Sequence, residues 1–141
     1  MSEKKPLADE LLREILKEQF REVYEDYTIG YSAYNVVIDF NSTADAERFV
    51  GLEGGIGIIV HERIVLIDLY RLAAMGRKWA RSQGYAIDII ALYRYEEAGY
   101  IKVNHVEDSK RYNGLRFNFN EEHTELSATF AAISAVWERV K

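Results

Sequence analysis

The sequence predicts a single α+β domain in which helices pack on an antiparallel-rich sheet. Three stretches carry apolar residues at three- and four-residue steps, the spacing of one helix face. Between them lie runs that alternate every two residues, as half-buried strands do. With 141 residues and 48% apolar content, we expect one domain over residues 1–141, with residues 1–6 as a flexible N-terminal segment. The predicted order is helix, three strands, helix, three strands, helix.

The first predicted helix runs from Leu7 to Tyr24. Pro6 suits its first turn, and the carboxylates of Asp9 and Glu10 suit the positive end of the helix dipole. Its stripe consists of Ala8, Leu11, Leu12, Ile15, Leu16, Gln19, Phe20 and Val23.

A two-residue period follows, and it predicts a half-buried strand from Tyr31 to Phe40. Asn41 to Asp45 then resembles a helix entry with a capping carboxylate. We expect a short turn or helix that ends by Val50, because Gly51 and two further glycines follow.

The segment Gly55–Ile67 has two interpretations. The first is two strands, Ile56–Val60 and Arg63–Ile67, joined by a tight turn at His61-Glu62. The alternative is one longer helix that begins near Glu62. The content of Ile and Val favours the strands.

The middle helix is predicted from Leu69 to Gln83. Asp68 precedes it, where a carboxylate can accept an orphan backbone N–H, and Gly84 follows as a residue that tolerates positive φ. Its apolar face consists of Leu69, Leu72, Ala73, Gly76, Trp79 and Ala80.

The C-terminal part contains three predicted strands, Ala86–Tyr95, Tyr100–Val106 and Leu115–Phe119. A four-residue hairpin loop ending in Gly99 joins the first two, and a polar loop of residues 107–114 precedes the third. We expect Asn120 to cap the last helix, whose stripe is Leu126, Thr129, Phe130, Ile133, Val136, Trp137 and Val140.

Composition excludes several classes of function. A net charge of −5 disfavours a protein whose main role is to coat a phosphate backbone. The absence of cysteine excludes disulfides and thiolate metal sites and fits a reducing compartment. No apolar run approaches the roughly 20 residues of a membrane helix, and the charged N-terminus lacks a signal-peptide core, so a cytoplasmic protein without membrane contact is expected. His61, His105 and His123 show no ligand spacing, so no metal and no other cofactor is predicted.

Ten tyrosines and one doubly apolar strand indicate a binding surface. The Ala86–Tyr95 strand carries apolar residues on both of its faces. We therefore expect a second layer of structure or a partner to cover the face that does not join the core. The predicted binding residues are Ile90, Leu92, Tyr93, Tyr95 and Tyr100. We therefore expect a protein partner and a homodimer, and binding rather than catalysis.

An alternative is metal-dependent nuclease chemistry. Asp88 stands on one predicted strand and Lys102 on the next, after a basic helix, which resembles the nucleases related to Holliday-junction resolvases. In that family a strand aspartate and a Glu-x-Lys motif hold magnesium, whereas Tyr100 here occupies the position of the glutamate. The resemblance implies Asp88 and Lys102 as catalytic residues. A cross-strand ion pair explains the same two residues.

Two basic groups could contact phosphates: Arg77, Lys78 and Arg81 near the end of the middle helix, and Lys110 and Arg111 in the polar loop. Because cations also complement a helix C-terminus, we do not expect nucleic acid as the partner.

The layout, the acidity and a closing helix with the late Trp137 are similar to type III secretion chaperones and the related YbjN-like proteins. That resemblance implies a small dimeric α+β domain that holds a client peptide. Small acidic immunity proteins have a comparable composition, and a tyrosine-lined site for a small ligand is a further alternative.

Overall fold

The computed structural model describes residues 6–19, 27–52, 58–91, 99–106, 115–119 and 124–141. Over these residues the chain forms four helices: α1 (Asp9–Gln19), α2 (Thr43–Leu52), α3 (Leu69–Ser82) and α4 (Glu125–Val140). Its seven strands are β1 (Tyr27–Tyr31), β2 (Asn35–Phe40), β3 (Ile58–His61), β4 (Ile64–Asp68), β5 (Tyr85–Ala91), β6 (Gly99–His105) and β7 (Leu115–Phe119). The predicted α+β class is confirmed.

The strands are divided between two antiparallel sheets. The four-stranded sheet has the order β1-β2-β4-β3, and the three-stranded sheet has the order β5-β6-β7. Helix α3 follows β4 and precedes β5, so it joins the two sheets. The first sheet therefore comes from the N-terminal half of the chain and the second from the C-terminal half.

A cluster of buried side chains draws on all four helices and both sheets. Helices α3 and α4 pack against each other, with the rings of Trp79 and Trp137 6.2 Å apart, and both lie against the three-stranded sheet. Helix α2 packs on the four-stranded sheet, where the ring of Phe49 lies 5.1 Å from that of Phe40. Apolar burial of this kind supplies most of the free energy that favours folding.

Helix α3 confirms the local signals in its sequence. The Asp68 carboxylate accepts hydrogen bonds from the backbone N–H groups of Tyr70 at 2.9 Å and Arg71 at 3.3 Å. The helix ends at Ser82, and Gly84 has a φ of 91°, the left-handed conformation expected at a helix exit. The buried residues of α3 are Leu72, Ala73, Met75, Gly76, Trp79 and Ala80.

The strand interpretation of residues 58–68 is confirmed over the helical alternative. The turn lies at Glu62 and Arg63 rather than at His61-Glu62, and Glu62 has a φ of 56°. A non-glycine residue with positive φ is uncommon and is found mostly in turns. The conformation of Glu62 therefore marks the turn between β3 and β4.

Three other boundaries differ from prediction. The single strand predicted from Tyr31 to Phe40 is replaced by two strands, Tyr27–Tyr31 and Asn35–Phe40, because the backbone N–H of Ser32 donates to the carbonyl of Asn35 at 2.8 Å and turns the chain. Helix α2 continues through Gly51. Helix α4 begins at Glu125 and is capped by Thr124, so Asn120 was the wrong cap.

Candidate functional site

The four-stranded sheet has an inner face that joins the core and an outer face that does not. Val36 and Ile38 on β2 and Val65 and Ile67 on β4 are fully buried, with no exposed fraction. Since successive side chains point to opposite faces, Val37 and Leu66 lie on the outer face. Both are half-buried.

The described helices meet this sheet on its inner face. The Arg13 guanidinium of α1 lies 4.5 Å from the centre of the Tyr27 ring, and Phe49 of α2 contacts Phe40. Tyr27 and Phe40 are register partners on the inner side of β1 and β2. In the part of the chain that the structure describes, these contacts leave the outer face without a helix packed on it.

One row of residues crosses the outer face from edge to edge. Gly30 is the register partner of Val37, Val37 of Leu66, and Leu66 of Ile59. We call these four residues the apolar row. Ile59, on the edge strand β3, is 59% exposed. At the opposite edge, a Cβ placed on Gly30 would meet nothing within 4 Å. The row thus has an exposed side chain at one end and a residue without a side chain at the other.

Polar groups flank the apolar row along the strands. The next row contains Asp39, and its Oδ1 lies 3.1 Å from Nε of Arg63. The side chains of Arg63 and Asp39 are 58% and 36% exposed, although Oδ1 of Asp39 itself is out of contact with water. The exposed His61 lies at the end of the same row, opposite Ile64. An apolar centre with a polar edge is the usual anatomy of a protein interface.

The three-stranded sheet brings two of the predicted binding residues together. Ile90 and Tyr100 are register partners and half-buried on its outer face. The Arg116 guanidinium lies 4.5 Å from the centre of the Tyr100 ring, a cation–π contact. The other three predicted residues, Leu92, Tyr93 and Tyr95, lie outside the described residues.

The residues of the nuclease alternative lie on the same outer face. Asp88 and Lys102 are register partners, and Nδ2 of Asn104 donates to Oδ2 of Asp88 at 3.5 Å. A magnesium site needs several oxygen ligands. Among the described residues no group of three or more His, Asp or Glu side chains could hold a metal ion.

The basic residues of α3 do not converge on one site. Arg77 donates from Nε and Nη2 to the backbone carbonyl of Ile87, at 3.2 and 3.0 Å. Lys78 and Arg81 are exposed on the helix surface. The second predicted group, Lys110 and Arg111, lies outside the described residues.

A pocket of about 580 Å³ opens where the N-terminal segment, the β1–β2 turn and the first turns of α3 and α4 meet. It is lined by Pro6, Tyr31, Ser32, Ala33, Leu69, Thr124, Leu126, Ser127, Phe130 and Ala131. The Tyr31 hydroxyl donates to the carbonyl of Leu7 at 3.4 Å. Burial, and secondarily the negative charge of Asp9, raise the pKa of Tyr31 well above its ordinary value. The volume is within the range of small-molecule sites.

Comparison with known proteins adds no relative: no protein-family model, no curated protein and no solved structure matches the chain. Within the described residues, none of the helices combines the length and the apolar character that crossing a membrane requires.

Sequence reasoning missed the apolar row. Its signal was present, because Ile58-Ile59-Val60 and Ile64 to Ile67 are apolar at every position. Such runs predict strands that are covered on both faces. The same pattern predicts a covered strand at Ala86–Tyr95, but the described outer face of the three-stranded sheet carries more charge.

Proposed function

We propose that this chain is a protein-binding module and that it binds through the outer face of the four-stranded sheet. The observation that supports the proposal is the apolar row, which spans all four strands of that sheet. Exposed apolar surface with a polar edge is typical of a protein interaction site. Partner binding would remove Val37, Leu66 and Ile59 from water.

Burial of the exposed apolar surface of the apolar row would stabilise a complex at this face. Fully burying a Val, Leu or Ile side chain stabilises a complex by about 1.5–3 kcal/mol. Ile59 has most of its surface still to bury, and the half-buried Leu66 at the centre has part of its surface left. The free energy available from these two side chains is about 1.5–3 kcal/mol before the cost of association is subtracted.

The two alternatives have weaker support. The nuclease alternative rests on Asp88 and Lys102, a pair whose neighbours supply no further carboxylate among the described residues. The small-ligand alternative rests on the pocket beside Tyr31, which has hydroxyl groups but no charged residue in its lining.

The experiment places a photo-reactive phenylalanine analogue at position 59 and irradiates cells that contain the protein. The probe sits on the most exposed residue of the apolar row. We expect a covalent adduct of defined protein mass. The variant Leu66→Asp should reduce the adduct at least about tenfold, because a carboxylate at the centre of the contact must lose its water.

The matched control is Ile90→Asp, which makes the same kind of change on the outer face of the three-stranded sheet and should leave the adduct unchanged. Circular dichroism checks that both variants fold. Equal loss of the adduct in both variants, or no protein adduct at position 59, contradicts the proposal. In the second case the pocket beside Tyr31 becomes the next site to test.

A further inference from the structure

We infer that Arg13 and Arg77 prevent the chain from pairing with added strands, because each of them closes the free edge of one sheet. We call these two residues the edge arginines. The inference does not depend on the proposed binding face, since it concerns the edges of the two sheets. A free edge presents unpaired backbone N–H and C=O groups to any strand that approaches it, and many proteins protect such edges with charged side chains.

Strand β5 is an edge strand of the three-stranded sheet. The backbone N–H of Val106 donates to the carbonyl of Gly84 at 2.8 Å, in continuation of the register of β5 and β6. Residues that bond to the neighbouring strand alternate with residues that do not, so every second residue of β5 directs its N–H and C=O to the free edge. These outward residues are Tyr85, Ile87, Ile89 and Ala91.

Arg77 occupies this edge. Its Nε and Nη2 donate to the outward carbonyl of Ile87 at 3.2 and 3.0 Å. Because these are the distances of a strand-to-strand hydrogen bond, the guanidinium lies where the N–H of an added strand would lie. An approaching strand would have to displace a charged donor, whose hydrogen bond is stronger than that of a neutral N–H, and would then cover the charge. Strand addition across Ile87 is therefore unfavourable.

Arg13 makes the same kind of contact on the other sheet. Strand β1 is an edge strand of the four-stranded sheet, and its bonded pairs with β2 continue from the pair of Ser32 and Asn35. By the same alternation the outward residues of β1 are Tyr27, Ile29 and Tyr31. Nη2 of Arg13 donates to the outward carbonyl of Tyr27 at 3.2 Å. Helices α1 and α3 thus each place an arginine on an edge carbonyl.

The two edges with the most outward residues are the two that carry an arginine. Strands β3 and β7 direct two residues outward each, which are Ile58 and Val60 on β3 and Arg116 and Asn118 on β7. The edge arginines leave β1 and β5 with no more than two successive outward residues beside the bonded carbonyl. Because a short edge is a poor template for pairing, every sheet edge among the described residues is protected in one of these two ways.

The test removes one guanidinium and follows self-association. Arg77→Met keeps much of the aliphatic stem and loses every donor. Sedimentation velocity over a concentration series should show dimers and larger species at protein concentrations at least about tenfold below those of the original chain, because each added strand residue contributes backbone hydrogen bonds. The matched control is Lys78→Met, which makes the same change of charge and polarity at an exposed position of the same helix and should have no effect.

Amide hydrogen exchange locates the contact. The N–H groups of Ile87 and Ile89 point away from β6, so they should exchange quickly in the original chain. In associated Arg77→Met they should exchange at least about tenfold more slowly, because an added strand would accept hydrogen bonds from them.

A variant that only loses stability could also associate, so urea unfolding is measured for each one. Asp68→Ala, which weakens the cap of α3 and leaves both edge carbonyls bonded, is the destabilised control. Arg13→Met should open β1 as Arg77→Met opens β5, with the exposed Lys17→Met as its control. If Arg77→Met does not fold, Arg77→Gln removes the charge, keeps one donor group and should give a smaller shift in the same direction.

Three results would overturn the inference. Arg77→Met could remain monomeric up to the same concentration as Lys78→Met, or Asp68→Ala could associate equally. The third is association in which the amides of Ile87 and Ile89 still exchange quickly. None of these results bears on the adduct at position 59, so the proposed binding role is tested separately.

Discussion

Replacing Gly76 by alanine tests a close contact between α3 and α4. A Cβ at this position would lie 2.5 Å from Cδ1 of Ile133, 3.2 Å from its Cγ1 and 3.3 Å from its Cγ2. Ile133 has no exposed fraction, so its Cδ1 has to shift within the core to accept the new methyl group. Gly76→Ala therefore has two effects. It raises the helix propensity at this position, and it adds a methyl group that overpacks the contact with Ile133.

The two effects have opposite signs. Alanine favours the helix over glycine by about 1 kcal/mol. Overpacking a tight core costs about 1–3 kcal/mol. Because three carbons of one buried side chain are approached together, the cost lies in the upper part of that range, and we expect a net loss of about 1–2 kcal/mol in the free energy of unfolding.

Urea unfolding followed by tryptophan fluorescence measures the change, since Trp79 and Trp137 lie at the same helix contact. The exposed Ala74 supplies the control for propensity, and Ala74→Gly should cost about 1 kcal/mol. The second control is Ile133→Val, which removes Cδ1. Alone it should cost about 1 kcal/mol, but in the Gly76→Ala background it should cost far less, because it removes the clashing atom. Additive effects, or a stabilising Gly76→Ala, would refute the reasoning.

Two further predictions concern the N-terminal half. The pKa of Tyr31 is raised, so the folded chain keeps that proton at a pH where an unfolded tyrosine, with a pKa of about 10, has lost it. The free energy of unfolding should therefore fall above about pH 10, and Tyr31→Phe should make the fall shallower by up to about 1.4 kcal/mol per pH unit. Identical slopes in urea unfolding from about pH 9 to 11 would count against this. Asp68→Ala should lower stability by about 1 kcal/mol through loss of the α3 cap, whereas Asp68→Asn should retain most of it; an equal loss in both variants would argue against the capping role.

Helix α3 could be predicted because its signals are local. The cap at Asp68, the apolar face and the exit at Gly84 all lie within one stretch of chain. The break between β1 and β2 also has a local signal, which the single predicted strand ignored, since the apolar positions change from Tyr27, Ile29 and Tyr31 to Val36, Ile38 and Phe40 and so shift by one residue. Tertiary packing also overrides propensity in α2, where burial of Phe49 outweighs the cost of about 1 kcal/mol for Gly51 inside the helix.

The proposed binding face could not be located from the sequence, because a strand that is apolar at every position has two apolar faces and its sequence does not say which of them is covered. Which face stays uncovered depends on where α1 and α2 pack, and that is a long-range property. The sequence predicts both Ile90 and Tyr100 as binding residues, but it did not show that they are register partners on one face. It did not show that Lys102 and Arg116 lie beside them as register partners.

The charged residues beside Ile90 and Tyr100 make the outer face of the three-stranded sheet less favourable for a partner than the outer face of the four-stranded sheet. A partner that covered the three-stranded sheet would take Asp88, Lys102 and Arg116 out of water, and an ion that is buried without a good partner costs several kcal/mol. The charges of Asp88 and Lys102 can compensate each other, because the two residues are register partners. The partner would then have to supply a negative charge for Arg116. On the four-stranded sheet the apolar row carries no charge, and the row beside it holds the carboxylate of Asp39, which is already paired with Arg63 within the chain. A partner on the four-stranded sheet would therefore have fewer unmatched charges to cover, among the described residues, than a partner on the three-stranded sheet.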